Sequence, residues 1–95
     1  MGYEWDSEKN EANREKHGIG LDEARYIFDG IVYTIDDDRS DYGELRQISI
    51  GSLDMAVVVT VVHTDRKGKI RLISARRANR KERKAYYDHI KKTLG

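Results

Sequence analysis

Apolar positions along the 95-residue chain switch from a helical to an alternating period and back again, and the switches mark out its elements. Residues 7–16 are rich in helix formers and open with Ser7, the expected N-cap. Glu8 and Glu11 suit the positive end of a helix dipole, and Lys16-His17-Gly18 suits its other end. Leu21, Ala24, Ile27 and Phe28 form an apolar stripe that predicts a second helix over 21–29, stopped by Asp29-Gly30. Residues 31–35 are β-branched and aromatic and predict a strand; residues 36–43 read as a polar loop and 44–50 as a second strand. After a turn at 51–54, residues 55–64 are almost continuously apolar. That pattern predicts a strand covered on both faces, hence central in its sheet. Asp65-Arg66-Lys67-Gly68 closes a hairpin into a strand at 69–75. Asn79 with Glu82 three residues on is a capping box opening a helix over 80–92, whose Tyr86, Ile90 and Leu94 should face the sheet. The expectation is a single α+β domain over 1–95: two N-terminal helices, a four-stranded antiparallel meander and a C-terminal helix.

Charge changes this picture more than composition does. Residues 1–65 carry 6 Lys and Arg against 15 Asp and Glu, a balance of −9; residues 66–95 carry 12 against 2, a balance of +10. A localised basic face points to an anionic partner such as nucleic acid, although the two halves could also neutralise each other in the fold. The absence of Cys excludes a disulfide scaffold, thiolate metal sites and Cys nucleophiles. No apolar run approaches the ~18–20 residues of a membrane span, and the acidic start lacks an apolar signal segment. The expectation is a soluble, cytoplasmic protein that does not engage a membrane.

Candidate chemistry follows from where the charges fall. His17, His63 and His89 have no metal-ligand spacing, and Asp36-Asp37-Asp38 reads as a solvated loop, so neither a metal nor another cofactor is expected. Alternation places Glu44 and Arg46 on one face of their strand with Ile48 and Ile50. It also places Arg71 and Arg76 on opposite faces, unless a bend or bulge after Ser74 brings them together. Arginines among apolar neighbours are either paired with carboxylates such as Glu44 and Glu82, or line a cleft for an anionic substrate. An arginine-rich, metal-free site suits RNA cleavage by the ribose 2′-OH. That reaction needs a base, an acid and cations for the phosphorane charge.

Several segments together resemble the BrnT toxins, the ribonuclease half of BrnT–BrnA type II toxin–antitoxin modules. They are Glu4-Trp5-Asp6, Asn13, Lys16-His17-Gly18, Phe28-Asp29, Gly43-Glu44-x-Arg46 and the run Ile70-Arg71-x-Ile73-Ser74-Ala75-Arg76-x-Ala78 with Glu82 and Tyr86. The resemblance covers essentially the whole chain. It implies a RelE-like fold and a metal-independent endoribonuclease that halts translation and growth. It also implies a BrnA-type antitoxin, a complex of two toxins with two antitoxins, and operator DNA bound only through the antitoxin. On that reading Arg46, Arg71 and Arg76 bind the phosphate and its transition state, and His17 or Glu44 transfers protons. Lys16, Arg77, Arg80 and Lys84 hold the RNA backbone. His63, Trp5 and Tyr86 are expected in the core or at an interface. A non-catalytic RNA-binding module and a pure protein-interaction domain are the competing readings.

Overall fold

The computed structural model describes residues 2–38, 43–54 and 57–95. The elements are β1 (Gly2–Glu4), α1 (Ser7–His17), α2 (Leu21–Ala24), a 3₁₀ turn (Arg25–Asp29), β2 (Val32–Asp37), β3 (Arg46–Ser52), β4 (Val58–Arg66), β5 (Lys69–Arg77) and α3 (Arg80–Leu94). The sheet order is β1-β5-β4-β3-β2, with β2 to β5 antiparallel and β1 parallel to β5. The expected antiparallel meander of four strands therefore gains a fifth, parallel strand. Three residues with one apolar side chain, Tyr3, show no readable alternation; the neighbouring edge of β5 is what makes them a strand.

Helices pack on both faces of the sheet. On the first face Ile19, Leu21, Ala24 and Ile27 pack against Val59, Val61, Leu72 and Ala75. On the second, Tyr86 packs with Ile50 and Val58, joined by Tyr33, Ile48 and Ile90. The apolar β4 lies at the middle of the sheet and supplies Val59 and Val61 to one core and Val58 to the other, as its unbroken hydrophobic run requires. Gly51 lets the 3₁₀ turn approach: a Cβ there would lie 2.8 Å from Ile27 Cβ. Lys67 and Gly68, with φ of 53° and 82°, close the β4–β5 hairpin by a two-residue turn of the primed kind. Asn13, buried on α1, takes the place of a further strand beside β5. Its amide nitrogen donates to Ala75 and Ile19 carbonyls at 2.8 Å each, and its oxygen accepts from the Ala75 N–H at 3.2 Å.

Other differences are local. The N-cap of α1 is Asp6, one residue before the expected Ser7. Its carboxylate accepts from the N–H groups of Glu8 and Lys9, and these bonds hold its pKa below the usual range. The expected helix over 21–29 is a short α-helix followed by the 3₁₀ turn. β2 runs on through Asp36 and Asp37, which the polar pattern assigns to a loop. Residues 39–42 of that loop, and Met55-Ala56 of the apolar run, lie outside the described residues. Tyr86 and Ile90 face the sheet, but Leu94 is 73% exposed because α3 outruns it. Among the described residues no helix is long and apolar enough to cross a membrane.

Candidate functional site

Strand alternation alone sets Arg71 and Arg76 on opposite faces; the structure puts them on one. The β4–β5 register shifts between Val62, which pairs with Ser74, and His63, which pairs with Leu72. Ile73 is the additional residue, a bulge immediately before Ser74 rather than after it. Parity is thereby reset. Leu72 and Ala75 both enter the first core, while Arg71 pairs with Thr64 and Arg76 with Thr60 on the face that carries α3.

The pairing registers arrange that face in rows. One crosses all five strands: Asp37 opposite Arg46, then Thr64 opposite Arg71, then Arg71 opposite Glu4. Arg46 comes next to the Gln47–His63 pair, and the Thr64 hydroxyl donates to the Leu45 carbonyl at 2.6 Å, so Thr64 lies between the two arginines. Two strand spacings separate them, about 10 Å between backbones. The next row is apolar, with Ile35, Ile48 and Val62. The row beyond, Tyr33, Ile50, Thr60 and Arg76, lies under α3. Arg76 is four residues along β4 from the Arg71 position, about 13 Å.

Each arginine holds a carboxylate, but not equally. Arg76 is gripped at both ends: Nη1 and Nη2 donate to Glu82 Oε1 and Oε2 at 2.7 and 2.8 Å. Glu82 also accepts from Thr60 Oγ1 at 3.1 Å and from the Asn79 N–H at 2.9 Å, completing the capping box. The Arg76 guanidinium is the largest influence holding the Glu82 carboxyl below its ordinary range; partial burial opposes it. Arg46 meets Glu44 through Nε at 3.3 Å. Arg71 gives a single bond, Nη1 to Glu4 Oε2 at 2.7 Å. Among the described residues its Nε and Nη2 donate to no other group, so donors remain for a phosphate. Among the described residues four carboxylates, Glu4, Asp37, Glu44 and Glu82, stand beside three guanidiniums here. The exposed cations gather instead on Arg77, Arg80, Lys81, Arg83 and Lys84 around the start of α3.

The expected site residues thus divide. Arg46, Arg71, Arg76 and Glu44 belong to the α3-bearing side of the sheet. His17 ends α1, which lies along the β5 edge where Asn13 bonds the Ala75 backbone, and Lys16 is exposed beside it. Arg77 and Arg80 are exposed at the β5–α3 junction, and Lys84 pairs with Asp88 at 3.0 Å. His63 faces away from the arginines. Its Nε2 lies 2.7 Å from Ser49 Oγ, which is 2.7 Å from Thr34 Oγ1, and its ring meets Phe28 edge-on. Burial pushes its pKa down to about 4, so at neutral pH it is an uncharged core group. Sequence reasoning missed Glu4, Thr60 and Thr64 as neighbours of the arginines. Glu4 stands in the Glu4-Trp5-Asp6 motif, but its meeting with Arg71, 67 residues away, needs the parallel β1–β5 pairing.

Comparison with known proteins agrees with this architecture. No curated protein matches the chain. A crystal structure of the Brucella abortus ribonuclease toxin BrnT superposes with a TM-score of 0.63 at 22% identity, covering 84% of this chain and 99% of that one, a likeness of fold. The family model described as "Ribonuclease toxin, BrnT, of type II toxin-antitoxin system" matches residues 5–82. That span takes in both arginine-bearing strands and the capping box of α3, and the chain belongs to the family of BrnT ribonuclease toxins of type II toxin–antitoxin systems.

Proposed function

We propose that this chain is a metal-independent endoribonuclease whose substrate phosphate lodges over Thr64, between Arg46 and Arg71. The observation that carries this reading is the cross-sheet row itself. It sets two arginines on one face with their backbones about 10 Å apart, and among the described residues one of them, Arg71, has spent only a single donor. A phosphate bridging that gap draws both cations toward the charge that grows on the phosphorane. Glu44, paired with Arg46, adds a further carboxylate at the rim of the same face. The exposed basic cluster at the start of α3, with Arg77, Arg80 and Lys84, supplies long-range attraction for the RNA backbone. His17, at the far end of α1 from Arg71, is given no part in this step. In the cell the activity arrests translation and growth. A BrnA-type antitoxin relieves it in a complex of two toxins and two antitoxins that reaches operator DNA through the antitoxin, all in the cytoplasm.

The test is incubation of the purified chain with RNA in EDTA. Cleavage is expected, and expected to vanish in Arg71→Ala with the fold retained. Intact RNA after long incubation with folded protein would refute the reading. A second reading has one observation in its favour: the arginines already hold carboxylates, as residues that dock an acidic protein partner often do. On that reading the chain binds its partner, leaves RNA uncut, and causes no growth arrest when expressed alone.

A further inference from the structure

We infer that Glu4 is the catalytic base that takes the proton from the attacking ribose 2′-OH; this rests on the ribonuclease reading above. The reaction needs a carboxylate or imidazole on the arginine face, fixed in position, with an acceptor atom left over. Glu82 is on the correct side but spent, since Arg76, Thr60 and the Asn79 N–H occupy its oxygens. His63 is buried on the opposite face of the sheet, against Ser49 and Phe28. His17 ends α1, which starts beside Glu4 and runs past Ala75 along the β5 edge, so it lies at the far end of that helix from Arg71. Glu44 meets Arg46 at 3.3 Å, too loosely to fix its direction.

Glu4 satisfies each requirement. Its strand pairs with β5 so that Glu4 stands opposite Arg71. A 2.7 Å charge-assisted bond from Arg71 Nη1 holds Oε2. Oε1 accepts no hydrogen bond among the described residues, and the side chain is 29% exposed, open to substrate. The charged groups around it are Arg71, Lys69 on the same face of β5, which lies against Gly2, and Asp6, which also feels Arg71. A phosphate taken up by the remaining donors of Arg71 brings its 3′-linked ribose next to that free oxygen.

The step balances without a further reagent. The 2′-oxygen forms a bond to phosphorus as its proton passes to Glu4 Oε1. The bond from phosphorus to the 5′-oxygen breaks, and that oxygen takes a proton from water. The products are a 2′,3′-cyclic phosphate and a 5′-hydroxyl end. Glu4 then returns its proton to solvent.

Glu4→Gln keeps an oxygen to accept from Arg71 but cannot take the proton, so it separates catalysis from positioning. Single-turnover cleavage of a short RNA is followed across pH for wild type, Glu4→Gln and Glu4→Asp. Binding of an RNA blocked by 2′-deoxy substitution is measured in parallel. The expected result is a loss of about 100-fold or more in the cleavage rate of Glu4→Gln. RNA affinity should be unchanged within about threefold, and the acidic limb of the pH–rate profile should disappear. Glu4→Asp should retain that limb at a reduced rate. Wild-type rates and an unchanged profile in Glu4→Gln, or a loss of RNA affinity that accounts for the whole deficit, would overturn the assignment while leaving the ribonuclease reading intact. RNA that wild type binds but never cuts would end both.

Discussion

The two ends of β5 carry the same pair of residue types at the same distance and put them to different use. Arg76 and Glu82 meet at 2.7 and 2.8 Å, with Thr60 and the start of α3 closing around the carboxylate. Arg71 and Glu4 also meet at 2.7 Å, but through one bond, at the open end of the face. The difference lies in what else each carboxylate must satisfy. Glu82 caps a helix, ties strand to helix and neutralises a cation at once, so its pair is a clasp. Among the described residues Glu4 accepts one bond only, so its pair keeps a donor side and an acceptor side for a ligand. An ion pair is therefore not in itself a sign of structure or of function; the count of unspent hydrogen-bonding positions separates the two.

Substitutions at the two ends should break this symmetry. The largest effect is expected at the open end: Arg71→Ala lowers RNA cleavage by about 100- to 1,000-fold, the scale of losing a donor to a developing oxyanion, while its melting curve stays close to wild type. Next comes the clasp. Glu82→Ala leaves Arg76 and Thr60 without their acceptor and removes half of the capping box, a loss of about 2–3 kcal/mol by denaturant unfolding. Glu82→Gln, which can still cap, should lose less. A comparable loss is built into the other face through His63. Its folded pKa of about 4 lies below the ordinary 6.5, so the unfolded chain binds the proton more readily. The stability from a neutral His63 is fully present above about pH 6.5 and falls as pH drops toward 4, by roughly 3 kcal/mol in all. His63→Gln should flatten unfolding stability across that window; an unchanged slope would contradict the buried neutral ring. The smallest effect is expected for Lys84→Ala, since its pair with Asp88 is exposed: unfolding stability should stay within error of wild type.

Long, regular signals were legible in the amino-acid sequence and short or non-local ones were not. The unbroken run around Val59 and Val61 announces a doubly covered strand. Asn79 with Glu82 announces the start of α3, and both are where the pattern puts them. β1 was illegible because three residues carry too little pattern, and its pairing partner lies across most of the chain. The bulge at Ile73 was illegible for a different reason. Every residue from Lys69 to Arg77 suits a strand, and only the packing of both Leu72 and Ala75 into one core forces the additional residue out. Those two omissions bear directly on the candidate site, since one hides Glu4 and the other hides the shared face of Arg71 and Arg76. His17 shows the reverse: the Lys-His-Gly signal draws attention to a residue that the fold places at the far end of α1 from Glu4 and Arg71.

The most direct test follows the arginine side-chain Nε–H signals by NMR as a short RNA blocked by 2′-deoxy substitution is titrated into the intact chain. If the open end of β5 is where the phosphate lodges, the Arg46 and Arg71 signals shift with RNA while Arg76 keeps its position. Movement of Arg76 with Arg46 and Arg71 unmoved would contradict the account.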